Sequence, residues 1–423
     1  MSQADWDRLQ YYSRKVKFFS SNSGINAQVH PSTYIRIAQL QSSALFPSLR
    51  RLHYNLDDRS ISHIFLFQSP LLDSLELFNI RGFENTIVGP FLATLPSQIL
   101  SRIVLDTGRM SVDILKKSIV RFKQLRSLEL SVTVFMSDFV LWELLGTLPS
   151  LANLTLKAIN PASHPAHVPE NSNSQTGGPK YFEALESLCV TGSFFLIQHL
   201  LGFIDSPCLK TIKFYPVINH VLNEHEHNEP DNLFTPSMTI VASKWSQSLK
   251  NLLIHSSSSG TAHRYAIPKC LMLLTDFHEM QTFQLKGGKM ENMDDDVRSL
   301  VMSWPKLIFL RLPLSQTFVS LSTLRIIAKN CPALRFLSIR LDASITPPFD
   351  TSSKSLHHKL EVLTVGKVQP SIAPTSLKCQ IEVARYLDLI FPYLKSIEMH
   401  PDNVTWSGIR DLVKLCQDVR RGK

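Results

Sequence analysis

A six-residue spacing, L-x-x-L-x-L, recurs along this chain and limits what it can fold into. With other apolar residues allowed at the three marked positions, it occurs as "LRRLHY" from Leu49, "LDSLEL" from Leu72, "LSRIVL" from Leu100, "LRSLEL" from Leu125 and "LANLTL" from Leu151. It continues as "LESLCV" from Leu185, "LKTIKF" from Leu209, "LKNLLI" from Leu249 and "MQTFQL" from Met280. "LIFLRL" from Leu307, "LRFLSI" from Leu334, "LEVLTV" from Leu360 and "LKSIEM" from Leu394 complete the series. One copy proves nothing, because leucine is common. Thirteen copies in 423 residues, with all but one of the steps between them 23–34 residues long, make a repeat. "YSRKVKFF", residues 12–19, reads as a fourteenth, irregular strand.

A second signal keeps step with the first. Pro47, Pro70, Pro149, Pro305, Pro332 and Pro392 each stand two residues ahead of a motif's first leucine. The segments before them, such as "DFVLWELLGTLPSL" (138–151) and "LSTLRIIAKNCPAL" (321–334), space their apolar residues as a helix does. Gly or Asn followed by Pro is a helix stop. The unit is therefore strand, loop, helix, proline, strand. A helix between successive strands makes them parallel. The expected fold class is α/β: a leucine-rich-repeat solenoid (horseshoe) of about thirteen irregular repeats, with a parallel inner sheet and outer helices. The ladder asparagine of regular repeats is missing from all thirteen, which points to the long, helix-backed kind. The expected division is an N-terminal cap and first irregular repeat over 1–44 and the solenoid over 45–423. Long loops follow its strands at 159–180, 216–237, 342–355 and 366–378.

The chain resembles the leucine-rich-repeat region of F-box proteins, in particular the divergent ones of mushroom-forming fungi. The residues that carry the resemblance are "WDRLQYYSRKV" (6–16), "LFPSLRRL" (45–52) and "SPLLDSLEL" (69–77), and the repeat extends it over essentially the whole length. The resemblance implies substrate recruitment to a ubiquitin ligase of the SCF type. Nothing before Trp6 reads as the F-box that would bind the Skp1 adaptor, so Skp1–cullin machinery is an expected partner only if an F-box lies upstream. The second expectation is a free-standing repeat scaffold with no ubiquitin link.

Side chains alternate across a strand. Motif positions 4 and 6 enter the core, and positions 3, 5 and 7 face the inner surface. Early repeats present a mixed set there: Arg51, His53, Ser74, Glu76, Arg102, Asp106, Ser127 and Glu129. From the seventh to the eleventh repeat the surface reads Thr211, Lys213, Tyr215; Asn251, Leu253, His255; Thr282, Gln284, Lys286; Phe309, Arg311, Pro313; Phe336, Ser338, Arg340. These five repeats hold four fixed positive charges, three aromatics and no acid. Arginine suits phosphate and carboxylate through paired hydrogen bonds, and aromatics dominate binding hot spots. The expected partner-binding residues are Lys213, Tyr215, His255, Lys286, Phe309, Arg311, Phe336 and Arg340, with an acidic or phosphorylated protein segment as partner. The plainer alternative is scattered surface residues on a chain of net charge +9.

Other function classes find little support. No G-x-S-x-G, G-x-x-x-x-G-K-[ST] or G-x-G-x-x-G occurs, and nothing groups a nucleophile with a base, so no enzyme and no cofactor are expected. His220, His225 and His227 lack a metal-ligand order, and a solvated loop is the expectation there. Basic residues do not run together as they would for nucleic acid. The six cysteines form no C-x-x-C pair and read as reduced thiols. No stretch approaches the roughly 18 apolar residues of a membrane span, and no signal peptide is visible. The expectation is a monomer in the cytosol or nucleus.

Overall fold

The computed structural model describes residues 2–21, 37, 44–56, 61–80, 85–107, 112–132, 139–158, 181–217, 234–255, 271–287, 293–313, 318–348, 358–366, 374, 376–399 and 403–422. Most of the four predicted loops lies outside them, as do His220, His225 and His227. Thr235–Ser237 and Leu377–Lys378, expected in loops, instead open the helices Thr235–Trp245 and Leu377–Ile390.

The chain divides into two compact units, Met1–Cys208 and Leu209–Lys423. The first contains β1 (Phe18–Ser21), β2 (Arg51–Asn55), β3 (Ser74–Ile80), β4 (Arg102–Thr107), β5 (Ser127–Val132), β6 (Asn153–Ala158) and β7 (Ser187–Gly192). Each pairs in parallel with the next. The second contains β8 (Thr211–Pro216), β9 (Asn251–His255), β10 (Thr282–Lys286), β11 (Phe309–Arg311), β12 (Val319–Ser320), β13 (Phe336–Ile339), β14 (Leu341–Asp342), β15 (Val362–Val365) and β16 (Ser396–Met399). Its sheet runs β8-β9-β10-β11-β13-β15-β16, again parallel, while β12 and β14 form a small parallel pair of their own.

The strands obey the six-residue spacing. From β2 onward, every strand except β12 and β14 starts on position 3 of its motif. β1 fits the same frame with Val16 as position 1, so the irregular strand lies at 18–21 rather than 12–19, and "QADWDRLQYYS" is the helix Gln3–Ser13. The position-1 residues from Leu49 to Leu360 are fully buried, and Leu394 is nearly so. Positions 4 and 6 are buried in each of the thirteen motifs apart from half-buried Met399.

Backbone groups link successive repeats at the strand entrance. The position-2 carbonyl of one motif accepts two N–H groups, those of positions 2 and 3 in the next. Thus Arg50 O receives Asp73 and Ser74 at 2.9 and 3.0 Å, and Ile308 O receives Arg335 and Phe336 at 2.8 and 3.2 Å. The same pairing recurs from carbonyls of Asp73, Ser101, Arg126, Ala152, Lys210, Lys250, Gln281, Arg335 and Glu361. Main-chain donors that would be orphaned at the strand entrance are satisfied without any side chain.

The prolines act in the turn rather than as simple helix stops. The first leucine's N–H bonds the carbonyl three residues back, as in Leu49 to Phe46 (3.1 Å), Leu307 to Trp304 (3.1 Å) and Leu394 to Phe391 (3.1 Å). Pro47, Pro305 and Pro392 occupy the second turn position, where their fixed φ suits the bend. The first turn position holds a large buried residue in several repeats: Phe122, Leu148, Phe182, Phe277, Trp304 and Phe391.

Helices cover the core face. Met293–Ser303 buries Met293, Val297, Leu300 and Val301, and Leu321–Asn330 buries Leu321, Thr323, Leu324, Ile327 and Ala328. Asp294 joins these neighbours: its Oδ1 accepts the Ser320 N–H and the Thr323 hydroxyl, both at 2.9 Å. Cys331 is buried between them, and burial pushes its thiol up to about 12. Cys189, Cys208, Cys331, Cys379 and Cys416 are all unbridged.

Candidate protein-binding face

The face opposite the helices carries positions 3, 5 and 7. In the second unit strand register sets these side chains in rows. The position-3 row runs Thr211, Asn251, Thr282, Phe309, Phe336, Val362, Ser396. The position-5 row runs Lys213, Leu253, Gln284, Arg311, Ser338, Thr364, Glu398.

Seven of the eight predicted residues stand on this face, exposed or half-buried. Phe309 and Phe336 are register partners with ring centroids 5.7 Å apart, and Phe336 is 38% exposed. Arg311 sits two residues beyond Phe309, between Gln284 and Ser338. Lys286 pairs in register with His255, whose ring meets Tyr215 edge-on at 5.8 Å. Partial burial, and after it the Lys286 ammonium, holds His255 below the usual imidazole range. Lys213 is exposed on β8. Among the described residues, no acid lies within ion-pairing distance of Lys213, Lys286 or Arg311.

The eighth residue corrects the sequence reading. Arg340 is only 8% exposed, and its guanidinium lies 4.2 Å from the ring centroid of Phe318. The cause is an interruption in the repeat. β11 stops at Arg311, and the chain returns as β12, which pairs with β14. The Val319 N–H donates to the Arg340 carbonyl at 2.8 Å, which lays Phe318 against this arginine. Pro313 and Ser338, also expected on the open face, are buried as well.

In the first unit several charges on this face are paired with each other. Glu76 lies 3.0 Å from His53 Nδ1 and accepts from Arg102 Nε at 3.2 Å. Lys157 bonds Glu129, and that hydrogen bond raises its ammonium above the usual range. The sequence reading found His53, Glu76, Arg102 and Glu129 but not Lys157, and it missed the pairing, for which register was needed. It also stopped short of Glu398, which accepts from the Thr364 hydroxyl at 3.1 Å and brings an acid to the β15–β16 end of the second sheet.

Among the described residues, no group of three or more His, Cys, Asp or Glu side chains is placed to hold a metal ion, and no helix is long and apolar enough to cross a membrane.

Strand, turn and helix in this order, on this leucine spacing, define the chain as an α/β leucine-rich-repeat protein. No family model matches it, and no curated protein sequence does. Among solved structures it is similar to a Bacteroides fragilis protein, at 13% identity and a TM-score of 0.34, over 73% of this chain and 72% of that one. It is also similar to the Rad7 and Elc1 complex of yeast, at 12% identity and a TM-score of 0.39, over 95% of this chain and 84% of that one.

Proposed function

We propose that the chain is a non-catalytic protein-recognition module and that the open face of its second unit binds the partner, an acidic or phosphorylated protein segment. One observation carries this reading: among the described residues Lys213, Lys286 and Arg311 have no acid within ion-pairing distance, and they share the face with the neighbouring rings of Phe309 and Phe336. A cation held on a rigid strand is preorganised for an anion, and aromatic rings supply contact area at low entropic cost. The resemblance of "WDRLQYYSRKV" and the repeats to F-box proteins favours the substrate-receptor part of an SCF-type ubiquitin ligase as the setting. Docking to Skp1–cullin machinery would then be the task of an F-box upstream of Trp6.

The test is affinity purification of the chain and of its Lys286→Glu/Arg311→Glu variant from the same cells, with matched melting temperatures. Partners should be recovered with the first and lost with the second, and their half-life should lengthen when the chain is depleted. Equal recovery with both overturns the assignment of the face. Capture without any change in half-life removes the ubiquitin setting.

A further inference from the structure

We infer that the segment bound on this face is an extended acidic peptide, with one apolar side chain seated on Phe309 and Phe336 and carboxylates at alternate positions running toward β8. This rests on the recognition reading above and adds the ligand's composition and layout.

The layout follows from the rows. Phe309 and Phe336 put two aromatic rings side by side on the face, their centroids 5.7 Å apart. Going toward β8, the next charged side chains are Arg311, then Lys286 on β10, then Lys213 on β8. Going the other way the face closes and changes sign. Ser338 is 3% exposed, Arg340 is buried under Phe318, and Glu398 stands two strands beyond Ser338. An acidic ligand is therefore drawn to one side of the phenylalanine pair and repelled on the other.

Spacing favours separate carboxylates over one dianionic group. Lys213, Lys286 and Arg311 occupy three different strands, so they do not converge on a point. Phe309 and Lys213 are three strand steps and two residues apart, roughly 15 Å at about 4.8 Å per strand step. About five extended residues cover that distance at roughly 3.3 Å each. Side chains of an extended peptide return to the same side every second residue. An apolar residue at i then places acids at i+2, within reach of Arg311 and Lys286, and at i+4, within reach of Lys213.

The experiment is fluorescence polarisation with the purified full chain and the labelled peptides Ser-Leu-Gly-Glu-Gly-Glu-Ser and its reverse-order counterpart. One of the two orders should bind. Replacing its leucine by serine, or both glutamates by glutamine, should each weaken binding about tenfold or more. Arg311→Glu should remove binding, and Phe309→Ser/Phe336→Ser should erase the preference for leucine while keeping the dependence on salt. The inference is overturned if the leucine is dispensable or if a peptide with adjacent glutamates binds as well. It is also overturned if only a phosphoserine peptide binds, or if single-stranded RNA competes at equal concentration. Partner capture that depends on Lys286 and Arg311 in cells, with neither peptide order bound, would overturn this inference and leave the recognition reading intact.

Discussion

His358 and Cys331 are tied across one repeat by a hydrogen bond from the imidazole Nε2 to the Cys331 carbonyl oxygen at 2.8 Å. The other ring nitrogen, Nδ1, accepts the Leu360 N–H at 3.1 Å, so the ring is neutral with its proton on Nε2. His358 is buried, packs edge-on against Phe391, and stands where the chain enters β15.

Burial holds this imidazole below its ordinary value of 6.5, and the bond to Cys331 offsets only part of that. The unfolded chain thus binds the proton more readily than the folded one. His358 contributes its full stabilisation above about pH 6.5, and the contribution falls as pH drops through the unfolded value toward the folded one. Melting temperature should decline between pH 7 and pH 5. His358→Leu should flatten that decline and cost about 1–3 kcal/mol at pH 7, because a buried carbonyl and a buried N–H lose their partner. An equally steep pH profile in the variant would count against this account.

Adjacent residues of β11 should separate folding from binding. Leu310 is 1% exposed in the core and Phe309 is half-buried on the open face. Leu310→Ala should cost about 2–5 kcal/mol, the range for a deleted core leucine. Phe309→Ser should cost well under half of that in chemical denaturation yet weaken partner binding. Comparable destabilisation by the two would place Phe309 in the core instead.

Two glycines should respond in opposite directions to alanine. A Cβ on Gly146 would lie 2.8 Å from both Cβ and Cδ1 of Tyr181, and the Gly146 carbonyl also holds the Phe182 N–H at 2.9 Å. The Tyr181 Cβ belongs to a pinned segment, so Gly146→Ala should destabilise by about 1–3 kcal/mol. Gly202 lies in the helix Phe194–Phe203 with nothing within 4 Å of a new Cβ. Gly202→Ala should stabilise by roughly 0.4–1 kcal/mol through helix propensity and unfolded-state entropy. Denaturant titrations of the two variants read both signs.

Strand positions were legible because a six-residue motif carries its own register: once Leu307 is position 1, Phe309 opens the strand and Leu310 enters the core. The adjacency of Phe309 and Phe336 followed from stacking such units in parallel. What the motif could not carry is tertiary interruption. Arg340 occupies position 7 like Lys286, yet it is buried because β12, two residues long, comes alongside β14 and brings Phe318 over it. No period in the sequence marks a strand that short. The carbonyl ladder was invisible too, since it is built from backbone. The large residue three places before several first apolar residues, as at Phe122, Phe277 and Trp304, was readable, and at Trp304 it marks Pro305 as a turn residue.

His255 gives the proposed binding face a pH dependence of definite sign. Its ring lies between Tyr215 and Lys286, and in the free protein burial, followed by the Lys286 charge, keeps it neutral at pH 7. An anionic ligand placed against it favours the imidazolium, so binding takes up a proton. Affinity for an acidic partner should then rise as pH falls from 7.5 toward 5.5, by at most tenfold per unit for one proton. The rise ends where the free protein's His255 is itself protonated, and affinity falls again once the ligand's carboxylates protonate at about 4.3. His255→Gln should bind with a flat profile over this range, whereas His358→Leu, which alters stability alone, should keep the slope at temperatures well below its melting point. A slope that survives in His255→Gln would show that the ligand does not lie against β9.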